Sequence, residues 1–398
     1  MKDHLSPLVR SIEEPATLMM ARRGRELRAQ GHDVIDLSLG EPDQQPPAFV
    51  LNAAREAIAG PWHKYPPVNG FLDVREAICE KFERDNGLDH GPEQIVVSTG
   101  AKQSLMNAVM SLVGAGDEVV IPAPYWVTYT EQVRMAGATP VVVPSTLEED
   151  WKAPVARIAA AITPRTRLLI FSSPCNPSGS VLSADELLDL ATVVARWPDL
   201  YVISDEIYEH IVFSGKHRSF ASLPGMMERT ITVNGLSKAF AMTGWRIGYL
   251  AAPEWIARAC SKVQGQFTSG ANSIAQRVAL ACMQADPSEL AGMRNDLLRR
   301  RDLMLGSMRN IGSWRCNRPE GAFYLLPDVS ACLGLAAGNR KIGSSNDLCM
   351  YLLEDAGVSM VDGAAFGAPG TLRISYATAD EKLTAAMQRI AEAVDRLT

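Results

Sequence analysis

No stretch of this 398-residue chain reaches the roughly 18 consecutive apolar residues that a membrane-crossing helix needs. The polar opening Met1-Lys2-Asp3-His4-Leu5-Ser6-Pro7 also lacks the apolar core of a signal segment. The expectation is therefore a cytoplasmic location and no membrane partner. Lys/Arg-rich runs are absent too. With a formal net charge of -6 and a pI near 5.6, no nucleic-acid partner is implied. The 7 cysteines are scattered, without CxxC or Cys/His ligand spacing, which argues against a disulfide framework and a zinc site alike. No metal is expected. Charged residues make up only 21% against 47% hydrophobic, and there is neither a repeat nor a low-complexity tract, so the chain has ample material for a folded core.

At this length the chain exceeds one ordinary domain. Between about residues 49 and 284, short apolar runs alternate with helical patterns. The runs cover 94–98, 118–121, 167–171, 201–204 and 230–233. Continuous Val/Ile/Leu runs separated by segments such as 184–196 read as buried parallel strands with crossover helices. The fold class predicted is α/β, a doubly wound, mostly parallel sheet. After Pro287 come a charged helix over about 289–310, a strand near 321–326, a loop over 334–345, a helix from about 346, a strand over 371–376 and a last helix from about 380. We expect a large α/β domain over 49–287, and a smaller α+β domain from 1–48 plus 288–398.

In a doubly wound sheet, ligands sit beyond the carboxyl ends of the strands. Gly100, Asn176, Asp205 and Lys238 each follow a different apolar run, so four strands deliver polar or special residues to one edge. Lys238 stands out. It is the only acid or base besides Arg246 between Val233 and Gly248. Most lysines are solvated, but the small residues around this one and the second cation near it suggest an amine in a closed pocket beside an anion. A desolvated lysine near a cation has a lowered pKa and attacks carbonyls readily.

The segment Gly235-Leu236-Ser237-Lys238, closing on Arg246-Ile247-Gly248, resembles the lysine-attachment pattern of class I aminotransferases. The likeness runs through nearly the whole chain. It includes Gly40-Glu41-Pro42-Asp43, Lys64-Tyr65, Pro124-Tyr125-Trp126, Asn176-Pro177-Ser178-Gly179, Ser204-Asp205-Glu206-Ile207-Tyr208 and Arg373-Ile374-Ser375-Tyr376. It looks most like the prokaryotic-type aspartate aminotransferases, some of which also accept prephenate or arogenate.

That resemblance implies a pyridoxal 5'-phosphate enzyme of fold type I. It would move an amino group between an L-amino acid, aspartate preferred, and a 2-oxo acid such as 2-oxoglutarate by a ping-pong cycle. A prephenate or aromatic aminotransferase, or a lyase, decarboxylase or oxidase on the same scaffold, is the alternative, because small pocket changes select which bond breaks. A cofactor-sensing regulator would need a DNA-binding extension ahead of an aminotransferase-like region that here begins within about 15 residues of the start.

By resemblance, Lys238 carries the cofactor and acts as base and acid, Asp205 pairs with the pyridine nitrogen, and Asn176 and Tyr208 bond the phenolic oxygen. Trp126 would stack on the ring. The phosphate would lie at the helix start Gly100-Ala101-Lys102, where free N–H groups favour an anion, helped by Ser237 and Arg246. Tyr65 would reach the phosphate of a neighbouring subunit, which implies a homodimer with shared sites. Arg373 and Gly40 would receive the substrate α-carboxylate; read alone, Arg373 is a solvent-facing residue on an alternating strand. Lys102 and Thr17 would meet the distal carboxylate. Three features depart from the family pattern: Pro15 stands in place of a helper serine, Glu13 in place of a lysine near the prephenate-linked position, and Gln44-Gln45-Pro46-Pro47 at the mouth.

Overall fold

The computed structural model describes residues 4–398; residues 1–3 of the polar opening segment lie outside the described part. A seven-stranded sheet organises the middle of the chain. Its spatial order is Ile95–Ser98, Gly248–Ala251, Thr230–Gly235, Tyr201–Asp205, Thr166–Ser172, Glu118–Pro122 and Thr139–Val143. All neighbours run parallel except Gly248–Ala251, which is antiparallel to both strands beside it. The strands Ile95–Ser98, Tyr201–Asp205 and Thr230–Gly235 are buried almost throughout, as expected of a sheet covered by helices on both faces. Crossover helices such as Ala184–Ala195, opened by a Ser183/Glu186 capping box, supply that cover.

A second core gathers Met20, Val34 and Leu37 with residues from Leu297 onward. Its sheet is small and antiparallel, ordered Val361–Asp362, Leu372–Ser375, Tyr324–Leu325. The segment Ile35–Asp36 pairs in parallel with Val358–Ser359, and Ser375 N donates to Leu37 O at 2.9 Å. These bonds lay residues 37–41 across the second sheet and carry Gly40 towards the first.

Several elements differ from the sequence reading, among them the strand Thr139–Val143, which is not among the apolar runs. Gly248–Ala251 is a strand, inserted between Ile95–Ser98 and Thr230–Gly235. The stretch 334–345, expected to be a loop, contains a two-residue antiparallel pairing of Ala336–Ala337 with Arg340–Lys341. The charged helix is shorter than its pattern, spanning Ala291–Met308 after a 3₁₀ turn at Pro287–Leu290.

Candidate active site

Sheet register explains why distant residues meet. Gly248 lies opposite both Ser98 and Gly235, and Asp205 lies opposite both Ser172 and Val233. Chains leaving these levels turn into one space, a cavity of about 310 Å³. It is lined by Lys238, Asp205, Tyr208, Ala101, Lys102, Trp126, Asn176, Ser237, Arg246, Gly40, Arg373 and Thr17, twelve of the residues singled out from sequence.

Lys238 Nζ donates to Gly40 O at 2.5 Å. Burial, and next the Arg373 guanidinium, pull its pKa down to about 8. Asp205 is 4% exposed and moves the opposite way, to about 6, because burial opposes its charge more than its hydrogen bonds support it. Tyr129 Oη donates to Asp205 Oδ2 at 2.6 Å, and Ile207 N donates to Oδ1 at 3.3 Å. Tyr208 and Tyr324 share a 2.7 Å hydroxyl contact; burial raises both phenols, so both stay protonated.

The helix Ala101–Leu112 starts at Gly100 with no side-chain cap, and while Gln103 N donates to Gly100 O at 3.0 Å, the amides of Ala101 and Lys102 have no partner within the helix. Gly100 sits at φ 79° and ψ 159°, a region essentially restricted to glycine. A Cβ there would also come within 2.4 Å of Arg246 Nη2. Arg246 itself adopts a left-handed φ of 53° and is tied by Nη1 to Thr243 O at 2.9 Å. Free amides, Ser237 and a guanidinium thus surround one small cradle.

Arg373 is 1% exposed, and the strand that bears it is buried on both faces. The solvent-facing reading of Arg373 taken alone is overturned. Tyr324 and Phe366 hold the guanidinium between their rings at 4.7 and 4.8 Å. Its Nη1 donates to Asn176 Oδ1 at 3.1 Å and its Nη2 to Ser38 O, while Nε is buried without a partner. An unpaired buried N–H on a guanidinium with no carboxylate partner suits an incoming carboxylate. Gly40 is needed nearby, since a Cβ would lie 2.2 Å from Tyr324 Oη.

Lys102 stands at the mouth, its Nζ 4.8 Å over the Trp126 ring, and no carboxylate is bonded to it among the described residues. It also lines a larger neighbouring cavity of about 690 Å³ with Arg246, Phe267 and Met135. Tyr65 is the residue that the fold does not bring to this site: its side chain is 93% exposed and lines neither cavity. Sequence reasoning missed Tyr129, Tyr324 and Thr243. All three looked like ordinary strand, helix or loop residues.

Among the described residues, Glu206, Glu209 and His217 are the one group whose donor atoms cluster as a metal site would, within 4.8 Å. Their lone pairs are already engaged. Glu206 accepts from Ser204, Ser219, the Phe220 amide and His217, while Glu209 accepts from Lys81 and Asn86. This is a buried charge network behind Asp205.

The family profile "Aminotransferase class I and II" matches residues 32–390. The chain belongs to this family of pyridoxal-phosphate-dependent aminotransferases, and its sheet is that of fold type I. It is 46% identical over 395 residues to the "Bifunctional aspartate aminotransferase and glutamate/aspartate-prephenate aminotransferase" of Petunia hybrida, covering 98% of this chain and 82% of the relative. It is 45% identical over 389 residues to the "Aspartate/prephenate aminotransferase" of Cereibacter sphaeroides, covering 97% of each. The aspartate aminotransferase structure from Rhizobium meliloti superposes with a TM-score of 0.96 at 40% identity, covering 100% of both chains. The Thermus thermophilus aspartate aminotransferase with maleate gives 0.92 at 40% identity, covering 98% of this chain and 100% of that one.

The residues present fit pyridoxal phosphate. The glycine-lined cradle suits its phosphate, the largely buried amine of Lys238 suits its aldehyde, and the Asp205 carboxylate has room to accept one more hydrogen bond. No helix among the described residues is long and apolar enough to cross a membrane.

Proposed function

We propose that the enzyme transfers the amino group of a dicarboxylic L-amino acid, aspartate first, to 2-oxoglutarate. The observation that carries this reading is a pair of cations without carboxylate partners, Arg373 and Lys102, lining the cavity that holds Lys238. Two cations ask for two carboxylates. The names of the relatives and the maleate bound to the Thermus protein, itself a dicarboxylate, support the same choice.

Each residue then has a task. Bound in the cavity, pyridoxal phosphate supplies a protonated ring that draws off the electron pair left at the substrate α-carbon. Asp205 keeps the ring nitrogen protonated. Lys238 would hold the cofactor through its amine, and its Nζ, when free, would take the substrate α-proton as base and return a proton as acid. The Tyr208 hydroxyl, accepting from Tyr324, and the amide N–H groups of Asn176 would donate to the phenolic oxygen, since Asn176 Oδ1 is committed to Arg373. Trp126 stacks on the ring. Ala101 and Lys102 would offer backbone amides to the phosphate at the turn that Gly100 makes, its own N–H being bonded to Ser98 O at 2.8 Å, and Ser237 and Arg246 would add a hydroxyl and a guanidinium. Arg373 grips the α-carboxylate beside Gly40, and Lys102 with Thr17 takes the distal one.

The same reading makes the enzyme a cytoplasmic homodimer with shared sites, in which Tyr65 from a second copy reaches the phosphate. The 93% exposure of Tyr65, and of other large apolar side chains such as Phe267 at 64%, supports burial against another copy. The division into a domain of 49–287 and one of 1–48 plus 288–398 belongs to this proposal as well.

The test is Lys102→Ala. Its kcat/KM for aspartate and glutamate should fall by a cost of about 2 to 5 kcal/mol, as for one partner stripped from a desolvated pair. Alanine and phenylalanine should be little affected. Equal losses for acidic and neutral donors would assign Lys102 to the cofactor phosphate and remove the dicarboxylate reading.

A further inference from the structure

The Asp205 carboxylate has two hydrogen bonds in this structure, and only one comes from a side chain. Oδ1 receives Ile207 N–H from its own chain two residues on, at 3.3 Å. Oδ2 receives the Tyr129 hydroxyl from across the sheet at 2.6 Å. At 3.3 Å the backbone amide is the longer and weaker restraint on how the carboxylate rotates about its last bond. The 2.6 Å hydroxyl bond from the opposite wall is the stronger one.

Tyr129 is built to hold still. It is 1% exposed, at the start of the helix Thr128–Met135, and its backbone N–H bonds Trp126 O at 2.9 Å. Its ring meets the Trp126 ring edge-on, centroids 5.7 Å apart at 86°, and it packs in the core with Val96, Leu105 and Val233. One rigid aromatic therefore touches both the acid at the strand end and the indole over which the Lys102 ammonium rests. Tyr129 also forms part of the wall between the site and a second cavity of about 260 Å³, since it and Ser172 line both.

Its chemistry is as constrained as its position. Burial, then the charge of Asp205, lift the phenol well above its ordinary pKa, so it acts as a donor at any working pH. A donor favours the charged form of its acceptor. Several groups face Asp205: Glu206 on its own strand end, Lys238 after the next strand, Tyr208 three residues on, Cys175 in the adjacent loop, and Tyr129. Burial and the Glu206 charge push Asp205 towards protonation; the Tyr129 hydroxyl is the foremost influence holding it ionised.

We propose that Tyr129 is a positioning residue whose hydroxyl fixes the Asp205 carboxylate in the orientation that receives the ring N–H of the cofactor. This rests on reading Asp205 as the partner of the ring nitrogen. It adds a second layer to the site: a donor acting through Asp205 decides whether that acid arrives charged and correctly turned.

The experiment compares apoproteins of the wild type, Tyr129→Phe, Asp205→Asn and the double variant. Affinity for pyridoxal phosphate is read by fluorescence quenching. The Asp205 carboxyl titration is followed by carbon-13 NMR in the apoprotein, with Asp205→Asn locating the signal. Tyr129→Phe should weaken cofactor binding about tenfold, the scale of one charge-assisted hydrogen bond. It should also move the Asp205 midpoint upward from about 6. The double variant should bind no more weakly than Asp205→Asn alone, since the hydroxyl acts through that carboxylate.

Site-specific 3,5-difluorotyrosine at position 129, a stronger donor of nearly the same shape, should move the midpoint downward. This probe decides the matter if Tyr129→Phe fails to fold. An unmoved midpoint in either variant, or additive losses of affinity, would overturn the proposal. A loss on Asp205→Asn with none on Tyr129→Phe would overturn the Tyr129 role alone. Unchanged affinity in Asp205→Asn would remove the reading of Asp205, and the positioning role with it.

Discussion

An ordinary lysine is protonated at neutral pH and makes a poor nucleophile, yet Lys238 is placed where its charge is costly. Burial, Arg373 and Arg246 all disfavour the ammonium, with Glu41 and Asp205 opposing them, and the balance settles at about 8. Its sign fixes a prediction. Below that midpoint the amine carries a proton and is inert; above it the free amine reacts. In the apoprotein, the rate at which a small aldehyde is trapped on Lys238 by cyanoborohydride should rise through a midpoint near 8. A rise only near the ordinary lysine value, about 10.4, would show that the pocket does not depress it. Arg373 teaches a related lesson. Alternation along its strand suggests solvent exposure, but Tyr324, Phe366 and Ser38 cover it, and Tyr324 and Ser38 are far from it in sequence.

At the scale of elements, the site depends on how strands hand over to helices and loops. Gly100 makes one such turn at φ 79° and ψ 159°, and Gly100→Ala should cost about 1–3 kcal/mol, the range for a backbone held in a glycine-only region. Its Cβ would also displace Arg246, so cofactor should be retained less well. Thermal melting and cofactor content after dialysis would check both; an unchanged melt and full retention would contradict this account of the turn. The main sheet was largely legible because strands buried on both faces leave continuous apolar runs, and the residues just past them, Gly100, Asn176, Asp205 and Lys238, were legible for the same reason. Gly248–Ala251 was not, since four residues directly after a motif give no period to read. Tyr129 and Tyr324 were not, since an aromatic in an apolar stretch looks like core until its hydroxyl is seen to meet Asp205 or Tyr208.

For the whole molecule, the proposal of shared sites predicts complementation. Tyr65→Phe and Lys238→Ala proteins, each impaired, should recover part of the activity when dissociated and reassociated together, because one site in a mixed dimer receives both wild-type residues. A monomeric mass in solution with no recovery would contradict it. The convergence of four strand ends on a single amine is the claim on which all the others rest, and borohydride reduction of the holoenzyme followed by peptide mass mapping tests it most directly. The account predicts a reduced pyridoxyl-phosphate adduct on the peptide containing Lys238 and none in Lys238→Ala; an adduct mapped to Lys102 or any other lysine would contradict it.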